Sequence, residues 1–228
     1  MKIILEKDKL LVLLLITDLI FILLHILNVY TGLLNSSYYL LYRDRGYAEF
    51  FQYTKELWIV VLFLFLAIKK KRGIFYVFSL LFTYLLVDDY FEVHERLGRL
   101  IAETLNFQGL MGLRAVDLGE LLVSGLFGLL FLIALVLFFF LSDINTRRIA
   151  LYMGIFFVLL AFFGVALDMV GVIIEQRAIL RLMVILEEGG EMLVMSLITW
   201  FVYRLNYQDD QIPLNWLPIK VTKRLAKD

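Results

Sequence analysis

Four acids and a histidine, Asp88, Asp89, Glu92, His94 and Glu95, fall within eight residues, directly after an apolar run from Ile74 to Val87. An ionisable group costs roughly 2.5–3.5 kcal/mol at the centre of a membrane helix, so such a stretch marks a functional site. Further acids recur at Asp117 and Glu120, at Asp168, and at Glu187, Glu188 and Glu191; the second of only two histidines is His25. Carboxylates with imidazole are ligand types for a divalent metal. His25, His94, Asp88, Asp168 and Glu187 are therefore expected as ligands of one ion, whether zinc, iron, manganese or calcium. Glu95, Glu191 or Glu120 would be a further ligand or the general base of a metal-dependent enzyme. The natural substrate would be lipid-like, entering from the outer leaflet. The inventory resembles that of carboxylate-bridged di-metal bundles, although their Glu-x-x-His spacing is absent. Acids crowded together cannot all ionise without a metal, bound protons or paired Lys and Arg. The same groups could thus serve a proton or cation transporter or channel subunit, or form a structural network in an assembly protein.

Elements that position these residues follow from composition. The chain has 228 residues, is 62% hydrophobic and has mean hydropathy +0.86, which suits an all-α polytopic membrane protein. Net charge is zero, without the basic excess that nucleic acid would require. Cysteine is absent, which excludes disulfides and thiolate ligands. Six spans are expected: Leu10 to Tyr30, a helix from about Ala48 to Ile68, Ile74 to about Glu95, Arg114 to Leu141, Ile149 to Ile174, and Ile179 to Tyr203. Together they make a transmembrane domain over 1–204, with interfacial segments at 31–47 and 99–113 and a cytoplasmic tail over 205–228. The short loops Lys69–Arg72 and Arg147–Arg148 are basic, so both termini are expected inside. The expected setting is a bacterial inner membrane, with lipids as partners and room for self-association or a larger membrane complex.

On a continuous third helix Asp88, Glu92 and Glu95 would share one stripe, with His94 turned away from it. At about 1.5 Å per residue, Asp88, Asp168, Glu187 and Glu120 each lie roughly 9–10 Å below the outer helix ends, and His25 roughly 8 Å. Lys55 and Glu56 lie at a similar depth, and Asp18 alone sits deeper. Gly164, Asp168 and Gly171 share a face, as do Glu187 and Glu191.

Several motifs coincide with these positions: Tyr53-Thr54-Lys55-Glu56, Asp88-Asp89 followed by His94-Glu95, Asp117 to Glu120, Gly164 to Asp168, and Glu187 to Met192. In this combination the chain resembles a family of bacterial multi-pass membrane proteins to which no activity is attached. A looser likeness links it to ceramidase-type membrane hydrolases, which hold zinc among helices with several histidines and an aspartate. That likeness implies a zinc hydrolase.

Overall fold

The computed structural model describes residues 8–110, 112–174 and 176–207, and is all-helical apart from turns. The tail beyond Tyr207, the first seven residues and Glu175 lie outside the described residues. The helices are α1 (Lys9–Thr31), α2 (Tyr47–Lys70), α3 (Gly73–Phe91), α4 (Val93–Thr104), α5 (Ala115–Phe140), α6 (Ile144–Ile173) and α7 (Arg177–Tyr207). Five of them, α1, α2, α3, α5 and α6, are long and apolar enough to cross a membrane. The 31 residues of α7 include Glu187, Glu188 and Glu191. Within α6, Phe162–Leu167 is a π-helical turn.

Helix ends follow local chemistry. Gly32 closes α1 with φ +63°, the left-handed conformation that glycine adopts without steric cost. Residues 31–47 form a single 3-10 turn, Ser37–Tyr39, where an interfacial helix was an expectation. Ser36 caps that turn by accepting the Tyr38 amide, and Asn28 ties it to α1 through the Ser36 carbonyl. α6 starts at Ile144, before the expected Ile149, and Thr146 in its first turn donates to the Asp143 carboxylate just before the helix.

α2 and α3 pack along their length as a hairpin, and α7 lies against α2, α1 and α6. Their contact is a dry core at the end of the bundle carrying Lys69–Arg72, hereafter the basic end. Phe63 stacks on Phe78 at 5.0 Å between centroids, Phe82 lies against Phe157, and Met195 and Ile198 fill the space between helices. The opposite, acidic end is built differently. There α4 crosses α5 where a Cβ on Gly98 would stand 2.5 Å from the Glu120 amide nitrogen, and one on Gly119 would run into the Gly98 carbonyl. Only glycine permits this approach. α5 meets α6 weakly and has no extensive packing against α7. The α5–α6 hairpin therefore diverges towards the acidic end. There the turn before α5 reaches across, with a Cβ on Gly112 standing 3.5 Å from Ile173.

Candidate functional site

The acidic end begins with a break that the spacing of the acids did not reveal. α3 stops at Phe91, and Glu92 takes φ +53°. A non-glycine residue there is strained by about 1–2 kcal/mol. The turn lets Asp88 act twice: its Oδ1 accepts the His94 amide at 2.8 Å, capping α4, and its Oδ2 meets His94 Nδ1 at 2.9 Å. The continuous stripe Asp88–Glu92–Glu95 is therefore corrected, and so is the expectation that His94 faces away from Asp88. The reason is the left-handed residue at Glu92, which swings His94 back over the preceding turn. The Asp88 hydrogen bond holds the His94 imidazole above its usual range, against the opposing effect of burial.

A second group sits deeper, on α1, α2 and α7. Lys55 and Asp18 are both 0% exposed. Lys55 Nζ donates to Asp18 Oδ1 at 3.0 Å, the Met192 carbonyl at 2.8 Å and Ser196 Oγ at 3.3 Å, while Ser196 Oγ donates to Asp18 Oδ2 at 2.5 Å. Every ammonium proton has an acceptor, and the pair is neutral. The Phe51 ring completes the enclosure, 4.8 Å from Nζ.

The next residue, Glu56, has the opposite surroundings. It is 1% exposed, with Asp89 and Glu191 both within electrostatic reach. Its Oε2 has no partner, nor has Oε1 of Gln52, one turn earlier on the same helix and 8% exposed. Glu191 rests on the π-helical turn of α6: a Cβ on Gly164 would collide with its carboxyl oxygen. From Glu191 the acids continue along α7 and onto the facing part of α6. Glu188, Glu187 and Asp168 lie within its electrostatic reach, and Asp168 is within reach of Asp117, His94 and Arg114. Glu120 stands near Glu95 and His94. Asp89, Asp168, Glu187, Glu188 and Glu191 are all half-buried.

The sequence profile of a domain of unknown function, DUF8692, matches residues 11–206. The chain belongs to that family. No curated protein and no solved structure matches it. The matched DUF8692 region holds both the buried ion pair and the acid cluster.

Among the residues predicted from sequence, this DUF8692 chain brings Asp168, Glu187 and Glu191 into one cluster, with His94 and Glu120 beside it. Asp88 joins them through His94. His25 is committed elsewhere: its Nδ1 accepts the Leu41 amide at 3.1 Å, and its ring packs edge-on to Tyr42. Asp117 is taken by Arg114, whose Nη2 reaches it at 2.6 Å while the Arg114 amide donates to the same carboxylate. Among the described residues no three of His, Asp or Glu are arranged to hold a metal ion. Gln52 was not expected at the site, while Asp89 and Glu56 were expected in the acid cluster and layer but given no role of their own. The depth of Glu56, one helical position from Lys55, was the signal available for it.

Proposed function

We propose that this protein is a proton-handling membrane protein, in which Glu56, Asp89 and Glu191 bind and release a proton exchanged through the acid cluster. The observation that supports this reading is the buried Glu56 carboxyl, with an unpartnered Oε2, set beside Asp89 and Glu191. Carboxyl groups crowded together in a buried setting without a cation of their own cannot all ionise, so the group retains a proton. The nearest ammonium, Lys55, spends all its donors on Asp18, Ser196 and Met192. The cluster of half-buried acids from Asp168 to Glu191 supplies stepping points to the retained proton. On the basic side the Phe63–Phe78–Phe82 core offers none, so exchange is from one side only.

In this reading α7 is a sixth span, its acids turned to the bundle interior, and both termini face the cytoplasm because the basic loops then lie inside. The acid cluster faces outward, and the host membrane is a bacterial inner membrane.

Infrared difference spectroscopy of the purified protein tests the proposal. A protonated-carboxyl band should be present near neutral pH and should be lost in Glu56→Gln and Asp89→Asn. Finding no such band would overturn the reading. A stoichiometric divalent ion in elemental analysis, removed by chelator together with thermal stability, would instead favour the metal site that the ligand inventory suggested.

A further inference from the structure

α4 has three faces, and the bundle uses one of them. Gly98 and Ala102 are buried where the helix crosses α5. Glu95, Arg99 and Glu103 make a second, polar face. Val93, Leu97, Leu100, Ile101 and Thr104 recur at the spacing of a third, mostly apolar face. On that face Leu97 and Leu100 are exposed, Leu100 by 59%. α4 packs mainly on α5, with a smaller contact to α3.

Three observations fix the level at which this face lies. α3 is long and apolar enough to cross a membrane, it stops at Phe91, and α4 follows after Glu92 alone. Gly98, midway along α4, rests on Gly119, four residues inside α5, so α4 lies about 6 Å below the acidic end of that helix. α5 is about 39 Å long against a hydrocarbon core of roughly 30 Å, so its first turn stands among headgroups and α4 lies at the boundary beneath them. Independently, Arg45 pairs with Glu92 at 3.6 Å and lies over the Tyr90 ring at 5.6 Å. Its loop exposes Tyr38 and Tyr42, a mixture of rings and arginine that suits the headgroup layer. With 12 residues, about 18 Å, α4 is too short to cross.

We propose that α4 is a membrane-surface helix whose partner is the phospholipid leaflet at the acidic end. Val93, Leu97, Leu100 and Ile101 dip among the acyl chains, and the exposed Arg96 and Arg99 reach up to phosphate groups. The same helix carries His94 and Glu95, which stand near Glu120. The leaflet thus holds one boundary of the acid cluster in place. This inference is independent of the proton-handling reading and needs only that α3 and α5 cross the membrane.

The chain has no cysteine, so single cysteines can carry nitroxide labels without a background. Labels at Leu100→Cys, Thr104→Cys, Arg99→Cys and Glu103→Cys are compared by power saturation in vesicles of phosphatidylcholine and phosphatidylglycerol. Membrane-soluble oxygen should relax the Leu100 and Thr104 labels more than a water-soluble nickel chelate does, at a depth of about 5–10 Å. The Arg99 and Glu103 labels should show the reverse preference. In Leu97→Asn/Leu100→Asn, the Thr104 label should shift towards access by the nickel chelate; if that variant does not fold, the four single labels decide the matter. Equal preferences at Leu100 and Glu103 would place the apolar face in water and overturn the proposal. So would exclusion of both reagents from Leu100, which would put another protein surface, such as a second copy of the chain, over it. A Thr104 label unmoved in the folded double variant would overturn it as well.

Discussion

Lys55→Met is the most informative single change, because it strands a carboxylate with no exposed surface. Lys55 Nζ provides the ammonium that neutralises Asp18, and both residues are 0% exposed. Removing one partner of such a pair costs about 3–5 kcal/mol, since the other charge stays buried and uncompensated. Asp18 would keep the Ser196 hydroxyl, so the lower end, about 3 kcal/mol, is expected. Asp18→Leu strands the ammonium and should cost about as much. The double variant Asp18→Leu/Lys55→Met removes both charges and leaves the Ser196 hydroxyl and Met192 carbonyl short of a partner. It should lose only about 1–2 kcal/mol. The two single losses should therefore exceed the double loss by at least about 3 kcal/mol in a double-mutant cycle. The assay is equilibrium unfolding in mixed micelles with increasing denaturing detergent, followed by circular dichroism. Additive single effects, or a Lys55→Met loss below about 1 kcal/mol, would refute the view that this pair ties α1, α2 and α7 together.

His94 should give stability a pH dependence of known sign. The Asp88 hydrogen bond raises its ionisation in the folded state, so its contribution is full below about pH 6.5 and is lost as pH rises through the higher folded value. Melting curves from pH 5 to 8 should show a steeper slope in the wild type than in His94→Gln; an unchanged slope would remove the role assigned to the pair. Gly98→Ala or Gly119→Ala should destabilise by about 1–3 kcal/mol by forcing α4 off α5. Gly125→Ala, where a Cβ meets nothing within 4 Å, should be neutral or stabilising by up to about 1 kcal/mol in the same melts. A reporter fused after Asp228 should be active only in the cytoplasm, and activity outside would reverse the cluster's orientation.

Helix positions were legible because long apolar runs interrupted by basic loops admit little else, and α1, α2 and α5 begin or end within two residues of the expected bounds. The layer of acids was legible too, since the helical rise alone assigns comparable depths to Asp168, Glu187 and Glu120. Pairings across helices were not. Asp18 was expected deeper than Lys55, yet the two meet, and nothing local states that α1 and α2 meet α7 at Ser196. The break at Glu92 carries no glycine or proline, and is visible only once the Asp88 carboxylate is seen capping α4. His25 was expected as a ligand by residue type; its bond to a loop amide sixteen residues away has no signature in the local sequence.

The unequal lengths of the helices make bilayer thickness a variable for this protein. At 1.5 Å per residue, α3 with 19 residues spans about 28 Å, close to the roughly 30 Å of a hydrocarbon core. α5 with 26 residues and α6 with 30 reach about 39 and 45 Å. The short helix can stand upright, while the long hairpin must lean or press its ends into the headgroups. Since α5 is held mainly by α4 and α3, and only weakly by α6, hydrophobic mismatch acts on a joint with little packing to resist it. A thinner membrane leans the hairpin further and changes the width of the gap beside the acids. In bilayers of short- and long-chain lipids, the distance between spin labels at exposed Leu129 and Val158 would report that change.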